Sequence, residues 1–491
     1  MMARSQWISQ TLPEENCAIL GVDFISPDRV IIGGWGGNPP QQIYAEAFYT
    51  LDGGNNWIQS EIPDSMTIIN NVQIINENLC YGVGAYNFSL REPYYKIKRN
   101  VKDLIHLVKM NYSRDFAMQD RSRGLFVEST DGGLTWHSKG ILKDSVYHLF
   151  NLSFISEQKG FIVASSINDS GYAILKTIDG GNNWYYTYPF EKYLSIEDIQ
   201  FIDESNGIAA GEIINGNETG VVLKTSDGGE SWRKYYINEL SKISGVVYLD
   251  SINIFIVGMD SNFKGYVYKS TDAGNTWKEF HSYDQFSLLD GIDVFAELNY
   301  LMVLGVAAQN IIPFVDISFD AGNIWLYSPL TQFQNYLPIN SKMIDSQRWY
   351  LTGSTFGLDG FVLFTNNSGG LSEVLNSSDI ELLTFSLGQN YPNPFNPVTT
   401  INYSLPSVGT SSAYSPRLRL DGAGRTGRFM KFVQLKVYNS LGEEVATLVN
   451  EQQPPGSYEV KLDGSNLPSG VYVYRLNAGN FTAERKMVLV K

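Results

Sequence analysis

A chain of 491 residues with 45 glycines, 30 tyrosines, 26 phenylalanines and 9 tryptophans has room for two or three domains and the composition of a turn-rich, aromatic β-protein. Its formal charge of −15 argues against nucleic-acid binding through the bulk surface. Two cysteines, Cys17 and Cys80, cannot build a disulfide framework or a zinc site, and no apolar run approaches the roughly 20 residues of a membrane-spanning helix.

The opening Met1–Trp7 has no apolar stretch of the kind a signal peptide needs, which points to a mis-assigned start or a truncated reading frame. Cys17 and Cys80 lie in apolar, strand-like runs and are expected as buried free thiols. From residue 50 onward one short pattern recurs six times. It runs Thr50-Leu-Asp-Gly-Gly-Asn-Asn-Trp57, Thr130-Asp-Gly-Gly-Leu-Thr-Trp136, Thr177-Ile-Asp-Gly-Gly-Asn-Asn-Trp184, Thr225-Ser-Asp-Gly-Gly-Glu-Ser-Trp232, Ser270-Thr-Asp-Ala-Gly-Asn-Thr-Trp277 and Ser318-Phe-Asp-Ala-Gly-Asn-Ile-Trp325. The aspartates Asp52, Asp131, Asp179, Asp227, Asp272 and Asp320 are separated by 79, 48, 48, 45 and 48 residues, a period that marks a repeat architecture. Each copy reads as a hairpin corner. The Gly-Gly or Ala-Gly pair allows positive φ, the Asp accepts backbone N–H groups of its own turn, and the Trp is a large buried anchor.

The fourth repeat shows the order within each unit: Ile199–Ile202, Gly207–Ala210, Gly220–Lys224, the corner, then Trp232–Tyr236. Four short runs bounded by Gly, Asn and Asp predict a four-stranded antiparallel unit. The 79-residue gap holds 31 extra residues at about 88–123, with nine basic against four acidic side chains. Ile97, Val101, Leu104, Ile105 and Val108 recur there at helical spacing, which predicts a short basic amphipathic helix packed on its own domain. A degenerate seventh copy, Phe364–Gly370, has Asn367 in place of the Asp and no following Trp. An N-terminal strand carrying Trp7 would complete it and remove the open sheet edges.

The period ends near residue 376. The reading is a repeat domain over 1–375, a linker over 376–384 and a second domain over 385–491. In the last of these, short alternating strands with Pro/Gly turns suggest a β-sandwich. Gly409–Lys431 interrupts that domain with a basic segment that reads as a disordered loop.

The S/T-x-D-x-G-x-x-W pattern resembles the Asp-box (BNR) repeat of β-propellers, a group that includes sialidases, sortilin-type receptors, xyloglucanases and photosystem II assembly-factor-like propellers. The resemblance implies that the box joins the third and fourth strands of a blade and is structural. The expected fold is therefore all-β: a seven-bladed β-propeller followed by an immunoglobulin-like β-sandwich. In the C-terminal part, Gln389–Pro397, Val437–Val445, Asn466–Arg475 and Lys486–Lys491 together resemble the sorting domain of type IX secretion cargo from the Bacteroidota–Ignavibacteria lineage. That resemblance implies export across the outer membrane, engagement of the type IX machinery, and a secreted or cell-surface location.

Chemistry is sparse. There is no phosphate-binding glycine loop and no H-E-x-x-H. His106, His137, His148 and His281 are scattered, and read as isolated surface or rim residues rather than members of a catalytic set. Outside the basic insertion the repeat domain has only Arg4, Arg29, Arg233 and Arg348, too few and too dispersed for the three-arginine carboxylate clamp that a sialidase resemblance implies. One Asp per blade does not supply the six to eight oxygens of a Ca²⁺ site. No catalytic residue, cofactor or metal is therefore assigned. Ligands are expected on the face opposite the boxes, where variable loops lie on a rigid scaffold. Trp35, Phe263 and Phe356 are candidate stacking surfaces there, and Asp169, Glu212, Glu218, Asp260 and Asp359 are the carboxylates an enzyme would have to use. The leading expectation is a non-catalytic, monomeric binding or scaffold propeller for a glycan or protein, with no nucleic-acid partner and no transmembrane segment of its own. The alternatives are a glycoside hydrolase using those loop carboxylates, and an assembly or stability factor like the photosystem II propellers.

Overall fold

The structure is a computed structural model. It describes residues 7–14, 17–38, 42–86, 122–141, 146–166, 171–307, 311–355, 359–368, 386–405, 431–439, 442–454, 456–478 and 481–491. The predicted helix of the basic insertion, the linker and nearly all of Gly409–Lys431 lie outside these residues. The chain divides into two compact units, Met1–Gly370 and Leu371–Lys491.

The first unit is a seven-bladed propeller. Blade 1 is the sheet Cys17–Ser26, Arg29–Asn38, Gln42–Thr50, Ile58–Gln59, and the same inner-to-outer order builds the next three blades. Blades 5 and 6 share one strand, Lys278–Phe295. Its start pairs outward with Lys264–Ser270, and its end becomes the inner strand against Tyr300–Ala307. Blade 7 is Tyr336–Met343, Trp349–Thr355 and Gly360–Thr365, closed on the outside by Ile8–Gln10 from the N-terminus. Each box tryptophan immediately precedes the outer strand of its blade, and Trp7 stands in that same position before Ile8. Trp7 is buried and packs against Trp349, with ring centroids 6.4 Å apart. The seventh tryptophan is thus supplied by the far end of the chain, which leaves the ring without an open joint.

The boxes share one hydrogen-bond pattern. In blade 1 the Thr50 hydroxyl donates to Asp52 Oδ1 at 2.8 Å and accepts Gly54 N–H at 2.9 Å, while Asp52 accepts Asn56 N–H at 2.9 Å and the Asn56 side chain at 2.6 Å. In blade 2 the hydroxyl is Ser129 rather than Thr130, since Ser129 Oγ makes both bonds. The degenerate seventh box keeps the first of these contacts, Thr365 Oγ1 to Asn367 Oδ1 at 2.9 Å. These bonds hold the carboxyls of Asp52, Asp179, Asp227 and Asp272 below the usual range, the last two at about 2. Asp320 is shifted upward by burial. Position 324 is Ile, so Oδ2 of Asp320 loses the side-chain donor that Asn, Thr or Ser supplies in the other boxes.

Every inner strand carries a bulge at the same place, between Ile19 and Gly21, Ile69 and Asn71, Leu149 and Asn151, Ile196 and Asp198, Ile243 and Gly245, Leu289 and Gly291, and Pro338 and Asn340. Beyond the bulge, polar side chains bridge to the next blade. Asp23 accepts Ile74 N–H at 2.7 Å, Gln73 exchanges two bonds with Phe154, Asp198 accepts Val246 N–H at 3.0 Å and Asp293 accepts Met343 N–H at 2.5 Å. Blade 5 has Gly245 and Val247 at these positions. Its joint to blade 6 is instead the unbroken strand Lys278–Phe295.

The second unit is an immunoglobulin-like sandwich of a three-stranded sheet (Ser386–Leu387, Val398–Leu405, Gly456–Asp463) and a four-stranded one (Glu444–Gln453, Lys431–Tyr438, Gly470–Ala478, Phe481–Leu489). Ile401, Tyr403, Val433, Leu435, Tyr474 and Met487 lie in its single core. Among the described residues no helix is long and apolar enough to cross a membrane.

Candidate functional site

The inner strands surround a cavity of about 640 Å³. The bulges aim one side chain per blade toward it: Leu20, Asn70, Phe150, Glu197, Ser244, Asp290 and Ile339 in blade order. This ring has two unlike arcs. Blades 7, 1, 2 and 3 contribute Ile339, Leu20, Asn70 and Phe150, and blades 4, 5 and 6 contribute Glu197, Ser244 and Asp290. Beside the first arc His148 stacks on Phe150 at 4.6 Å and lies 2.6 Å from the Asn70 amide. Burial pushes its pKa down to about 3, so it is neutral at physiological pH.

The charged arc is organised around Lys242, whose Nζ lies 3.6 Å from Glu197 Oε2. Burial opposes the charge on Lys242, but Glu197, Glu212 and Asp290 together raise its pKa above the usual lysine value. Asp290 is raised to about 7 by enclosure within the protein; Lys242 lowers it and Glu197 adds to the rise. Its side chain is nonetheless open to the cavity, and among the described residues it has no hydrogen bond or ion pair. Deeper in the cavity, Lys342 faces Asp23 at 3.9 Å and is held protonated against burial by Asp23, Asp293 and Asp198.

The loop residues singled out from the sequence do not assemble into one site. Trp35 is buried within its strand and packs with Ala18, Ile43, Ile68 and Ala85; it forms part of the cavity wall instead of an exposed platform. Phe263, at φ +62, packs on Met259, Leu288, Val306, Ile311 and Leu337. Glu212 is buried in a strand and acts on Lys242. Asp260 caps its own turn, accepting Asn262 N–H at 2.8 Å and Lys264 N–H at 2.9 Å. Asp359 closes a turn with Thr355, and Glu218 is solvated. Asp169 and Phe356 lie outside the described residues.

Two histidines also depart from the expectation of surface positions. His148 is buried, and His281 is half-buried, stacked on Trp325 with Nε2 3.1 Å from Asp316. Cys17 and Cys80 are both free and buried. Among the described residues no group of three or more His, Cys, Asp or Glu could hold a metal ion. The cavity residues Glu197, Asp290, Lys242 and Lys342 were not anticipated, although Glu197, Lys242 and Asp290 each stand 30 residues before a box aspartate.

Residues 389–491 match the family model described as a secretion system C-terminal sorting domain. Residues 144–284, which span blades 3 to 5, match the model described as photosynthesis system II assembly factor YCF48. The chain is an Asp-box propeller joined to a type IX sorting domain. No curated protein matches it. Among solved structures, YCF48 bound to a D1 peptide is 13% identical, with 74% of this chain and 95% of that one covered and a TM-score of 0.50. The GH74 xyloglucanase from Xanthomonas campestris is 12% identical, with 81% and 59% covered and a TM-score of 0.52. YCF48 from Cyanidioschyzon merolae is 16% identical, with 73% and 98% covered and a TM-score of 0.48. At these identities the likeness concerns the fold. The sorting domain indicates export through type IX secretion to the cell surface or outer membrane.

Proposed function

We propose that this protein is an exported binding propeller that holds its ligand at the central cavity and does not transform it. The observation that carries this reading is the lining of the cavity. A rigid ring of bulges presents one apolar arc and one charged arc, while the described loop carboxylates cap turns, pair within the wall or face solvent. Binding sites are typically concave and largely apolar with a few placed polar groups, and this cavity has that make-up. The full chain should therefore retain cell-surface proteins or glycans without releasing products. Incubation with a polysaccharide panel tests this directly, because oligosaccharide release would overturn it.

One observation favours a second reading, a glycoside hydrolase. Asp290, raised to about 7, lies in the same arc as Glu197, and a carboxyl of raised pKa close to a second carboxyl is the pairing such enzymes use. Turnover lost in both Asp290→Asn and Glu197→Gln would establish it. The assembly-factor alternative rests on the repeat match over blades 3 to 5 alone. Export itself is tested by cell fractionation and mass spectrometry of the mature termini. A chain lacking 389–491 should remain inside the cell, and equal delivery of both forms would remove the sorting assignment.

A further inference from the structure

Resting on the binding reading, we infer that the ligand group taken by the cavity is an organic cation on an apolar stem, an ammonium or guanidinium that meets Asp290 and Glu197 while its stem lies on Phe150, Leu20 and Ile339.

The argument starts from which acids are already engaged. Asp23, Asp198 and Asp293 all accept backbone N–H groups of the neighbouring blade, so their charge is used in joining blades. Glu197 accepts the Ser195 hydroxyl at 3.1 Å and faces Lys242. Asp290 has neither kind of partner among the described residues, yet it projects into the same enclosed space. Lys242 is the cation nearest this arc, and it is shared among Glu197, Glu212 and Asp290. The arc therefore carries more negative than positive charge, in surroundings where an unpaired carboxylate is costly.

The facing arc determines the rest of the ligand. Ile339, Leu20 and Phe150 are apolar and only half-buried, and His148, stacked on Phe150, is neutral. A small inorganic cation would leave this surface wet. A basic side chain, or an amine with several methylenes, would cover it and place its charge across the cavity. A volume of about 640 Å³ is within the range of small-ligand sites.

Either an extended peptide bearing Lys or a free polyamine has this chemistry. The test is calorimetric titration of the full chain with acetyl-Leu-Lys-Leu-amide, acetyl-Leu-Gln-Leu-amide and spermidine. Binding of the lysine peptide or of spermidine, with the glutamine peptide at least about tenfold weaker, is the expected result, and the tighter of the two cations identifies the source. Asp290→Asn should weaken that binding by about tenfold or more, and Asp290→Lys should abolish it. Because Asp290 has no hydrogen bond or ion pair among the described residues and burial opposes its charge, Asp290→Asn should stay folded with a melting temperature at or above the parent's. Equal affinity for the two peptides, no binding of either cation at about 1 mM, or unchanged affinity in a folded Asp290→Asn would overturn the inference. If Asp290→Asn still retains the same surface glycans or proteins as the parent, the cation inference falls while the binding reading stands. If the chain instead hydrolyses polysaccharide, the binding reading falls first.

Discussion

The indole Nε1 of Trp57 donates to Oε1 of Gln10 at 3.0 Å, joining the first box to the strand that closes the last blade. The same glutamine donates from Nε2 to Gly53 O at 3.2 Å, and Tyr350 of blade 7 donates its hydroxyl to that carbonyl at 2.8 Å. Trp57 lies edge-on to Tyr350, with centroids 6.4 Å apart. The joint between blades 7 and 1 thus depends on three residues from chain segments far apart in sequence.

Truncating this joint should be costly in proportion to what it orphans. Gln10→Ala removes the acceptor of the buried indole and should cost about 1–2 kcal/mol. Trp7→Ala leaves a cavity beside Trp349 and should cost about 3–5 kcal/mol. Denaturant titration of the full chain measures both. If Trp7→Ala lowers stability no more than a surface substitution does, the closing strand is not what holds the ring.

The sixth box offers a gain in stability. Thr276 donates its hydroxyl to Asp272 Oδ2 at 2.7 Å, whereas Ile324 leaves the same oxygen of Asp320 without a partner. Ile324→Thr should restore the bond and stabilise the chain by about 1 kcal/mol at neutral pH. It should also move the Asp320 titration from above to below the usual value, as carbon-detected NMR would show. A loss of stability would mean that the half-buried Ile324 side chain contributes more through packing than the missing bond would.

The boxes were legible because their chemistry is local. A Gly pair, an Asp and a Trp within eight residues admit one kind of corner, and the period then counts the blades. The closing strand was legible from Trp7 because a seventh tryptophan was needed. The cavity was not legible, because a bulge is invisible in sequence. Glu197 and Asp290 look like ordinary alternating strand residues until a one-residue slip turns them inward. Trp35 misled for a related reason. The glycines around it read as a loop, but Gly34 and Gly36 are packing positions: a Cβ at Gly34 would lie 1.8 Å from Ala18 O, and one at Gly36 2.6 Å from the Glu46 carboxyl carbon.

Asp198 tests the side chains that join the blades. Its Oδ1 accepts Ile199 N–H at 2.8 Å and the Asn151 amide at 3.0 Å, and its Oδ2 accepts Val246 N–H at 3.0 Å. Asp198→Ala leaves a buried N–H of blade 5 unpaired and should cost about 2–3 kcal/mol. Asp198→Asn should be destabilising too, since an amide can accept on one side only and its NH₂ would then face a donor. Urea midpoints ordered parent, Asn, Ala are expected. An Asn variant as stable as the parent would show that the Val246 bond contributes little.

Glu46 predicts an unusual pH dependence. The residue is 1% exposed, and no nitrogen or oxygen donor reaches its carboxylate. Burial lifts its pKa from 4.5 to about 7, the charge of Glu14 adds to the rise, and a hydrogen bond with the Cys17 thiol opposes it. The folded chain therefore holds this proton to higher pH than the unfolded chain does. The associated stability is present below about 4.5 and is lost as pH rises to about 7. Glu46→Gln keeps the shape without the charge. It should leave stability nearly unchanged at pH 5 and raise it at pH 8, by at most about 3 kcal/mol. Asp359 and Tyr44 act electrostatically on the same cluster through Cys17 and Glu46, so the comparison is made as a difference between the two chains at each pH. Parallel stability profiles for parent and Glu46→Gln would show that Glu46 is ionised at no cost in the fold.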